Sequence, residues 1–189
     1  MRKSLLYFFC FCVLIFSLAS CGGDSDDTPT MDNSETPEWS MGDNDYAGGT
    51  SSGNIGDNGV GVLVLSTTGE NGPNGDYAGS GITMAYAANG GGSYEVVSKA
   101  DLVSRLNDNP MAKVTTIACT VGTQKVSPLA SSAYEMKSGS VSVIIDSNGK
   151  YHFTVVSGTM EKILDLGSGV PDSPDSISFK MTNGFDFAN

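Results

Sequence analysis

The stretch VSVIIDSNGKYHFTV, residues 141–155, decides the fold class because it carries the strongest hairpin signal in the chain. Residues 141–146 and 150–155 are rich in β-branched and aromatic side chains, and they flank the short segment 147–149 (SNG). A short connection that contains Gly between two such runs is typical of a β-hairpin. The pattern therefore predicts two antiparallel strands joined by a tight turn.

Three further segments, 60–65, 80–87 and 176–182, also have the pattern of strands. The first is apolar on both faces, which favours a central strand. In the last, Phe179 and Met181 alternate with Lys180, so one face is predicted to be buried and the other wet. An antiparallel sheet follows from these patterns.

One short helix is expected after Ser98, because Ser98 and Asp101 have the spacing of a capping box. Leu102, Val103 and Leu106 would then lie on its apolar face. A single helix beside many strands predicts an all-β fold, either an antiparallel β-sandwich or a small barrel of about seven or eight strands. The strand pattern after residue 139 resembles that of calycin-like and immunoglobulin-like domains.

The N-terminus has the order of a secretory signal: Arg2 and Lys3, an apolar run over residues 5–18, and two small residues before Cys21. A membrane-spanning helix is the alternative, but it needs about 20 apolar residues. The run here is shorter, and polar residues follow it at once. A signal peptide over residues 1–20 is therefore predicted.

Residues 18–21 (LASC) resemble the lipobox of bacterial lipoproteins, and residues 22–27 (GGDSDD) are similar to the acidic export signal of Bacteroidetes lipoproteins. The resemblance implies that the leader is cut before Cys21 and that Cys21 is the lipidation site, carrying acyl chains in the bilayer. It also implies an outer-membrane protein facing the cell exterior, with the periplasmic face as the alternative. Two or more acyl chains would anchor the protein stably.

The charge is distributed unevenly. The chain has a formal net charge of −11, and residues 21–57 hold nine carboxylates with no Lys or Arg. Such a polar, acidic segment predicts a flexible tether over residues 21–57, followed by a β-rich domain over residues 58–189. This sign of charge disfavours nucleic acid as a partner.

The tetrapeptide DYAG occurs twice, at residues 45–48 and 76–79. The flanking residues differ, so the two copies are predicted to be similar turns or strand entrances rather than repeat units. If Tyr46 packs as Tyr77 does, the domain begins near residue 43 instead of residue 58.

A calcium site is one hypothesis for the polar loops. Two loops have the opening spacing of a calcium loop, one with Asp43 and Asp45 and the other with Asn74 and Asp76. The bidentate Glu that calcium loops carry at the twelfth position is absent from both. Asx and Gly clusters are also what turns are made of, so plain turns are the alternative. No other cofactor is predicted.

Catalytic residues are not indicated. His152 is predicted to face solvent with Lys150 and Thr154, and Cys119 is predicted to be a buried apolar thiol. The carboxylates Glu70, Glu95, Glu135 and Glu161 could serve a hydrolase, but nothing in the sequence selects two of them. Aromatic side chains could stack on sugars, yet their pattern places most of them in the core.

Together these features predict a membrane-anchored, non-catalytic binding or accessory lipoprotein of the cell surface. Its ligand would be a glycan, a surface protein or a small apolar molecule. The alternative is a structural or adhesive subunit of a surface assembly, in which an exposed strand edge accepts a strand from a neighbour. A hydrolase with acidic catalysts is the third hypothesis.

Overall fold

The computed structural model describes residues 36–67, 76–123 and 130–186. Within them the chain forms eleven β-strands and one α-helix, α1. In chain order the elements are β1 (Glu38–Met41), β2 (Asn44–Ala47), β3 (Thr50–Ile55), β4 (Val60–Thr67), β5 (Asp76–Ala87), β6 (Gly92–Val96), α1 (Lys99–Asp108), β7 (Val114–Thr123), β8 (Ala130–Met136), β9 (Ser140–Ile145), β10 (Tyr151–Leu166) and β11 (Ser176–Asp186).

The strands form one sheet in the order β2-β1-β11-β10-β9-β6-β7-β5-β4-β3. The eleventh strand, β8, pairs with both β7 and β10. Strands β7 and β10 are therefore connected twice, through β8 at one end and through β6 and β9 at the other. All pairs are antiparallel except β6 with β7. The all-β prediction with one short helix is confirmed, and the described strands are more numerous than the seven or eight expected.

The sheet curves until its two halves face each other, as in a sandwich or barrel. The Tyr86 ring of β5 contacts the Phe153 ring of β10 edge-on, with centroids 4.8 Å apart. The Trp39 indole N–H of β1 donates to the Ser80 hydroxyl of β5 at 2.9 Å. Because aromatic and polar contacts both cross the interior, the two halves are fixed in relation to each other.

The interior is filled by large side chains that are almost fully inaccessible. Their alternation along β5 and β11 matches the predicted strand pattern, and the predicted hairpin is the β9–β10 pair. Strand β4 lies between β3 and β5, as predicted for a strand that is not at an edge, and only every second one of its residues is fully buried. The largest members are Tyr46, Tyr86, Tyr94, Tyr134, Phe153, Phe179, Met41, Leu63, Leu65, Ile82 and Met84.

Helix α1 begins as predicted, with the Ser98 hydroxyl accepting a hydrogen bond from the Asp101 backbone N–H at 3.2 Å. Leu102 is buried and Leu106 packs partly against the core, but Val103 is 56% exposed. Leu102 and Leu106 are four residues apart and therefore lie on the same side of the helix, which packs against the sheet. Val103 lies beside this side of the helix and remains exposed. The predicted inward position of Val103 is therefore wrong.

The predicted end of the tether at residue 57 is wrong, because β1, β2 and β3 lie before it. Trp39 and Tyr46 are 3% and 1% exposed, so this polar segment does supply apolar groups to the core. The few aromatic residues in an acidic background offset the cost of ordering their strands. The signal peptide, Cys21 and the tether before residue 36 lie outside the described residues and stay predictions.

Candidate functional site

A polar hollow of about 460 Å³ opens on the outer face of β1, β2, β10 and β11. Ser40 lies opposite Asp45 on one side and opposite Lys180 on the other, so these three residues form one row across β2, β1 and β11. A carboxylate, a hydroxyl and an ammonium group thus lie side by side on this face. The full lining is Ser40, Gly42, Asp43, Asp45, Ser157, Gly158, Ser178, Phe179 and Lys180.

A bulge in β10 completes the hollow. Val155 pairs with Met181 and Gly158 pairs with Phe179, so β10 has one residue more than β11 between the two pairs. A bulge of this kind bends the strand and redirects its side chains. Ser157 is consequently exposed at the rim of the hollow.

The chemistry of the hollow is that of hydrogen bonding. Ser40, Ser157 and Ser178 each offer a hydroxyl that can donate and accept, while Asp45 accepts and Lys180 donates. Phe179 is 1% exposed, so it presents no ring for stacking on a ligand. The hollow can therefore hold a ligand rich in hydroxyl or other polar groups.

Three of the four residues predicted to bind calcium, Asp43, Asp45 and Asp76, lie in the described part of the chain. Asp43 and Asp45 line the hollow, whereas the Asp76 carboxylate accepts a hydrogen bond from the Thr123 hydroxyl at 3.0 Å. Among the residues described, no three His, Cys, Asp or Glu side chains gather as a metal would require, so these three aspartates do not form such a group. Asn74 lies outside the described residues, and calcium stays a prediction.

Cys119 is unsuited to nucleophilic chemistry. It is 1% exposed, as predicted, and burial raises the pKa of its thiol to about 12 despite the nearby Ser80 hydroxyl. The nucleophilic form of cysteine is the thiolate, which is scarce at neutral pH in this position.

His152 belongs to the β9–β10 turn rather than to the hollow. Its Nε2 lies 3.2 Å from the Asp146 carboxylate. That carboxylate also accepts the backbone N–H groups of Lys150 and Asn148, and the hydrogen bond from Lys150 is the main reason why its pKa is lowered. The network closes the turn, which is a structural role.

Lys150 was expected beside His152 on the solvent face, and this expectation is wrong. Lys150 is only 7% exposed. Strand β10 begins at Tyr151, so Lys150 belongs to the turn and the alternation of the strand does not extend to it.

A second hollow of about 360 Å³ lies between β6, α1 and the end of β8. Its charged side chains are already engaged: Arg105 forms an ion pair with Glu95, Lys137 forms one with Glu135, and the Asp101 carboxylate accepts a hydrogen bond from the Ser98 hydroxyl. Glu161 stands opposite Glu135 on β10, and Glu70 lies outside the described residues. Paired surface charges of this kind serve the protein itself, so we place the candidate site in the first hollow.

The aromatic residues considered for sugar stacking lie mostly in the core. Trp39, Tyr46, Tyr86, Tyr94 and Tyr134 are each 3% exposed or less. Burial is the main cause that raises the pKa of Tyr94 and of Tyr134 to about 12. These rings stabilise the fold and are not available to a ligand.

The sequence predicts the outward position of some lining residues, and no local pattern marks the others. Lys180 and Ser178 follow from the outward phase of β11. Ser40 was missed because it was assigned to the tether, and Ser157 because no sequence signal marks the bulge in β10.

Within the residues that the structure describes, no helix has the length and apolar character needed to cross a bilayer. Comparisons of this chain with protein families, with curated proteins and with solved structures found no match.

Proposed function

We propose that this protein is a non-catalytic binding protein of the cell surface, anchored by acyl chains on Cys21, which uses the polar hollow to hold a hydroxyl-rich ligand such as a glycan. The observation that carries the proposal is the row of Asp45, Ser40 and Lys180 beside the exposed Ser157. Its donors and acceptors match the groups along an oligosaccharide.

The interior supports a surface ligand over a small apolar one. In calycin-like barrels a ligand needs an apolar cavity inside the sheet. Here Tyr86, Phe153 and Phe179 fill the described part of the interior and are 1% exposed or less. A polar ligand on the outer face needs no such cavity.

The lining also favours binding over catalysis. A nucleophile needs a base within hydrogen-bond distance, and a general acid needs a tuned pKa. The hollow is lined by serines, two aspartates and a lysine, with His152 and Cys119 placed elsewhere. This supports a recognition role rather than a hydrolase.

The test is a binding screen of the purified protein on an array of neutral and uronic-acid-containing oligosaccharides, followed by calorimetry on any hit. Asp45→Ala and Lys180→Ala each remove a charged partner, and a charge-assisted hydrogen bond contributes about 1.5–3 kcal/mol, so affinity should fall roughly ten- to hundredfold. Asp175→Ala is the matched control, because its side chain is fully exposed outside the hollow. Unchanged affinity in both hollow variants would contradict the proposal.

The anchor is tested separately. Mass spectrometry of the membrane-extracted protein should find fatty acyl chains on Cys21, and Cys21→Ser should release the protein from the membrane fraction. A mature chain with Cys21 unmodified would contradict the anchor while leaving the hollow untouched.

A structural or adhesive subunit is the second candidate, and one observation favours it. Strand β3 lies at one end of the sheet and, among the described strands, pairs only with β4. A strand at the end of a sheet can pair with a strand from another chain. A partner strand crosslinked to β3 in cell envelopes would support this candidate.

A further inference from the structure

Three side chains at one end of the sheet expose large apolar surfaces. Ile144 and Ile145 end strand β9 and are 66% and 36% exposed. Met111, in the loop between α1 and β7, is 71% exposed. Single apolar side chains are common on protein surfaces, but a group of them at one place indicates a contact with an apolar partner.

Met111 is held in place by the loop that follows β5. The Asn89 side-chain amide in that loop donates to the Pro110 and Ala112 carbonyls, both at 2.9 Å. The Met111 backbone N–H donates to the Asn109 side-chain oxygen at 3.0 Å. The backbone on both sides of Met111 is therefore fixed, and its exposed side chain has a set position.

The same loop lies against the end of β9. A methyl group placed on Gly91 would lie 3.2 Å from the Val143 carbonyl oxygen and 4.0 Å from the Ile144 Cα. The Met111 loop and the end of β9 therefore both adjoin residues 89–91. The surface formed by Met111, Ile144 and Ile145 is called the apolar end below.

The described chain begins at the level of the apolar end. The Asn183 side-chain amide of β11 donates to the Thr36 carbonyl at 2.8 Å. The next residue of β11, Gly184, lies opposite Phe153 of β10, which lies opposite Val143 of β9. Thr36 is therefore separated from the end of β9 by three strand spacings, roughly 15 Å, and by only one or two residues along the strands.

The length of chain before residue 36 favours this end of the sheet over the opposite one. Strand β10 has 16 residues, so the far end, where Leu164 and Leu166 are also exposed, lies up to about 50 Å away. Thr36 follows Cys21 by fifteen positions, which reach about 50 Å when fully extended and about 20 Å as a flexible coil. An anchor on Cys21 brings the apolar end to the bilayer easily, whereas the far end needs a fully stretched tether.

The charge of the chain decides which lipid surface fits. The formal net charge is −11, and Asp57 and Asp146 lie in turns that adjoin the apolar end. An anionic surface would repel such a protein. Apolar side chains bind at a bilayer interface without any charge on the lipid, so zwitterionic headgroups are the matching partner.

We propose that the apolar end docks on the surface of a zwitterionic bilayer, a contact that rests on the acyl anchor at Cys21 proposed above. Anchoring makes the docking intramolecular, so three apolar side chains are enough to hold an orientation although they could not hold the free protein at a membrane. Met111, Ile144 and Ile145 enter the headgroup region.

Docking in this orientation keeps the polar hollow clear of the lipid. Gly158, which lines the hollow, lies seven positions along β10 from Tyr151, which pairs with Ile145. That separation is roughly 20 Å. The bilayer contact thus leaves the hollow accessible to a ligand from the solution.

The test uses the mature acylated protein in vesicles of phosphatidylcholine and phosphatidylethanolamine. Ile144→Cys and, as the matched control at the far end, Leu164→Cys each carry an environment-sensitive fluorophore. Cys119 does not compete for the label because it is 1% exposed. The label at position 144 should shift its emission to shorter wavelength and lose intensity when the vesicles contain brominated lipid. The label at position 164 should do neither.

A second variant separates docking from anchoring. Met111→Glu places a charge in the contact and should reduce the shift and the quenching of the label at position 144, while the protein still floats with the vesicles. Met111 is largely exposed, so this change leaves the core intact.

Each other outcome contradicts the proposal in its own way. Protein that does not float with the vesicles would overturn the anchor, and the docking with it. Floating protein with an unquenched label at position 144 would overturn the docking alone. A shift without quenching by brominated lipid would mean that a second copy or another protein covers the apolar end. Equal quenching at positions 144 and 164 would mean that the protein has no fixed orientation.

Discussion

The two DYAG segments have the same four residues and different structures. In the first, which lies in β2, Tyr46 points inward, is 1% exposed and stacks on Trp39 with ring centroids 5.7 Å apart. In the second, at the start of β5, Ala78 points inward at 4% exposed and Tyr77 is only partly buried.

The backbone explains the difference. Asp76 pairs with Thr123 and Ser80 pairs with Val121, so β5 has two extra residues between these pairs. Tyr77 lies in this bulge with φ at 55°, in the left-handed region. Two extra residues leave the alternation of β5 in phase, so Ala78 faces inward with Ser80 and Ile82, and Tyr77 does not.

The two segments also hold each other. The Tyr46 hydroxyl donates to the Tyr77 carbonyl at 3.0 Å, and Trp39, the cross-strand neighbour of Tyr46, donates to Ser80. The recurrence is therefore not a structural repeat, but its two copies are in contact.

The largest expected effect separates the two tyrosines. Tyr46→Ala should lower the free energy of unfolding by about 3–5 kcal/mol, the range for removing a fully buried aromatic side chain. Tyr77→Ala should cost clearly less, because Tyr77 is only partly buried. Urea denaturation measures both, and equal losses would mean that the two copies are packed alike.

The glycines that end the two segments give the next effect. Gly48 has φ at +74°, so Gly48→Ala should cost roughly 1–2 kcal/mol of backbone strain even though nothing lies within 4 Å of the new methyl group. Gly79 has no positive φ, and its new methyl would meet only the Thr67 carbonyl oxygen at 3.6 Å. Thermal denaturation should therefore find Gly79→Ala close to neutral, and a destabilised Gly79→Ala would count against the assigned backbone.

A smaller effect comes from the hydrogen bond between the copies. Tyr46→Phe removes the donor to the Tyr77 carbonyl and should cost about 1 kcal/mol at neutral pH. Tyr77→Phe leaves that bond intact and removes instead the hydrogen bond between the Tyr77 and Tyr134 hydroxyls, so it shows what the loss of a neighbouring tyrosine hydroxyl costs. A wild-type free energy of unfolding in Tyr46→Phe would show that the bond contributes nothing.

Tyr46→Phe should also change how the free energy of unfolding depends on pH under alkaline conditions. Burial, with smaller effects from Cys119 and Tyr77, raises the pKa of Tyr46 above its usual value. The folded state then holds the proton more tightly than the unfolded state, so stability is complete below about pH 10 and falls as the pH rises further. Tyr46→Phe should flatten this fall in urea titrations above pH 10, and an unchanged slope would contradict the assigned burial.

The smallest effect concerns the aspartates that open the segments. Asp76→Ala removes the acceptor of the Thr123 hydroxyl and should cost about 1 kcal/mol. Asp45→Ala should stay within about 0.5 kcal/mol of the wild type, as for other exposed positions, while weakening ligand binding at the hollow. Scanning calorimetry should find the loss of stability in Asp76→Ala, and titration calorimetry should find the loss of ligand affinity in Asp45→Ala. The two results together would distinguish a structural carboxylate from one that binds the ligand.

Predictions from local sequence patterns were correct on strands with a regular alternation of inward and outward side chains. The β9–β10 hairpin, the inward Phe179 and Met181 of β11, and the buried Cys119 were all predicted from the sequence. These predictions depend on the two-residue period of a strand and on the apolar area of each side chain, and both can be read from the sequence.

The errors arose where distant segments meet. Trp39 was assigned to the acidic tether because its neighbours in the sequence are polar. In the structure its indole N–H donates to the Ser80 hydroxyl of β5, a residue 41 positions away. The hollow depends on Ser157, which a bulge in β10 brings beside β11, and no local signal marks that bulge.

The sequence by itself determined the β-rich fold class, the helix after Ser98 and the acidic balance of this protein, because these follow from neighbouring residues and from composition. Only the tertiary structure decided that Trp39 and Tyr46 join the core and where the polar hollow forms. Those features depend on the register between strands far apart in the chain, and a shift of one residue in that register exchanges the buried and exposed faces.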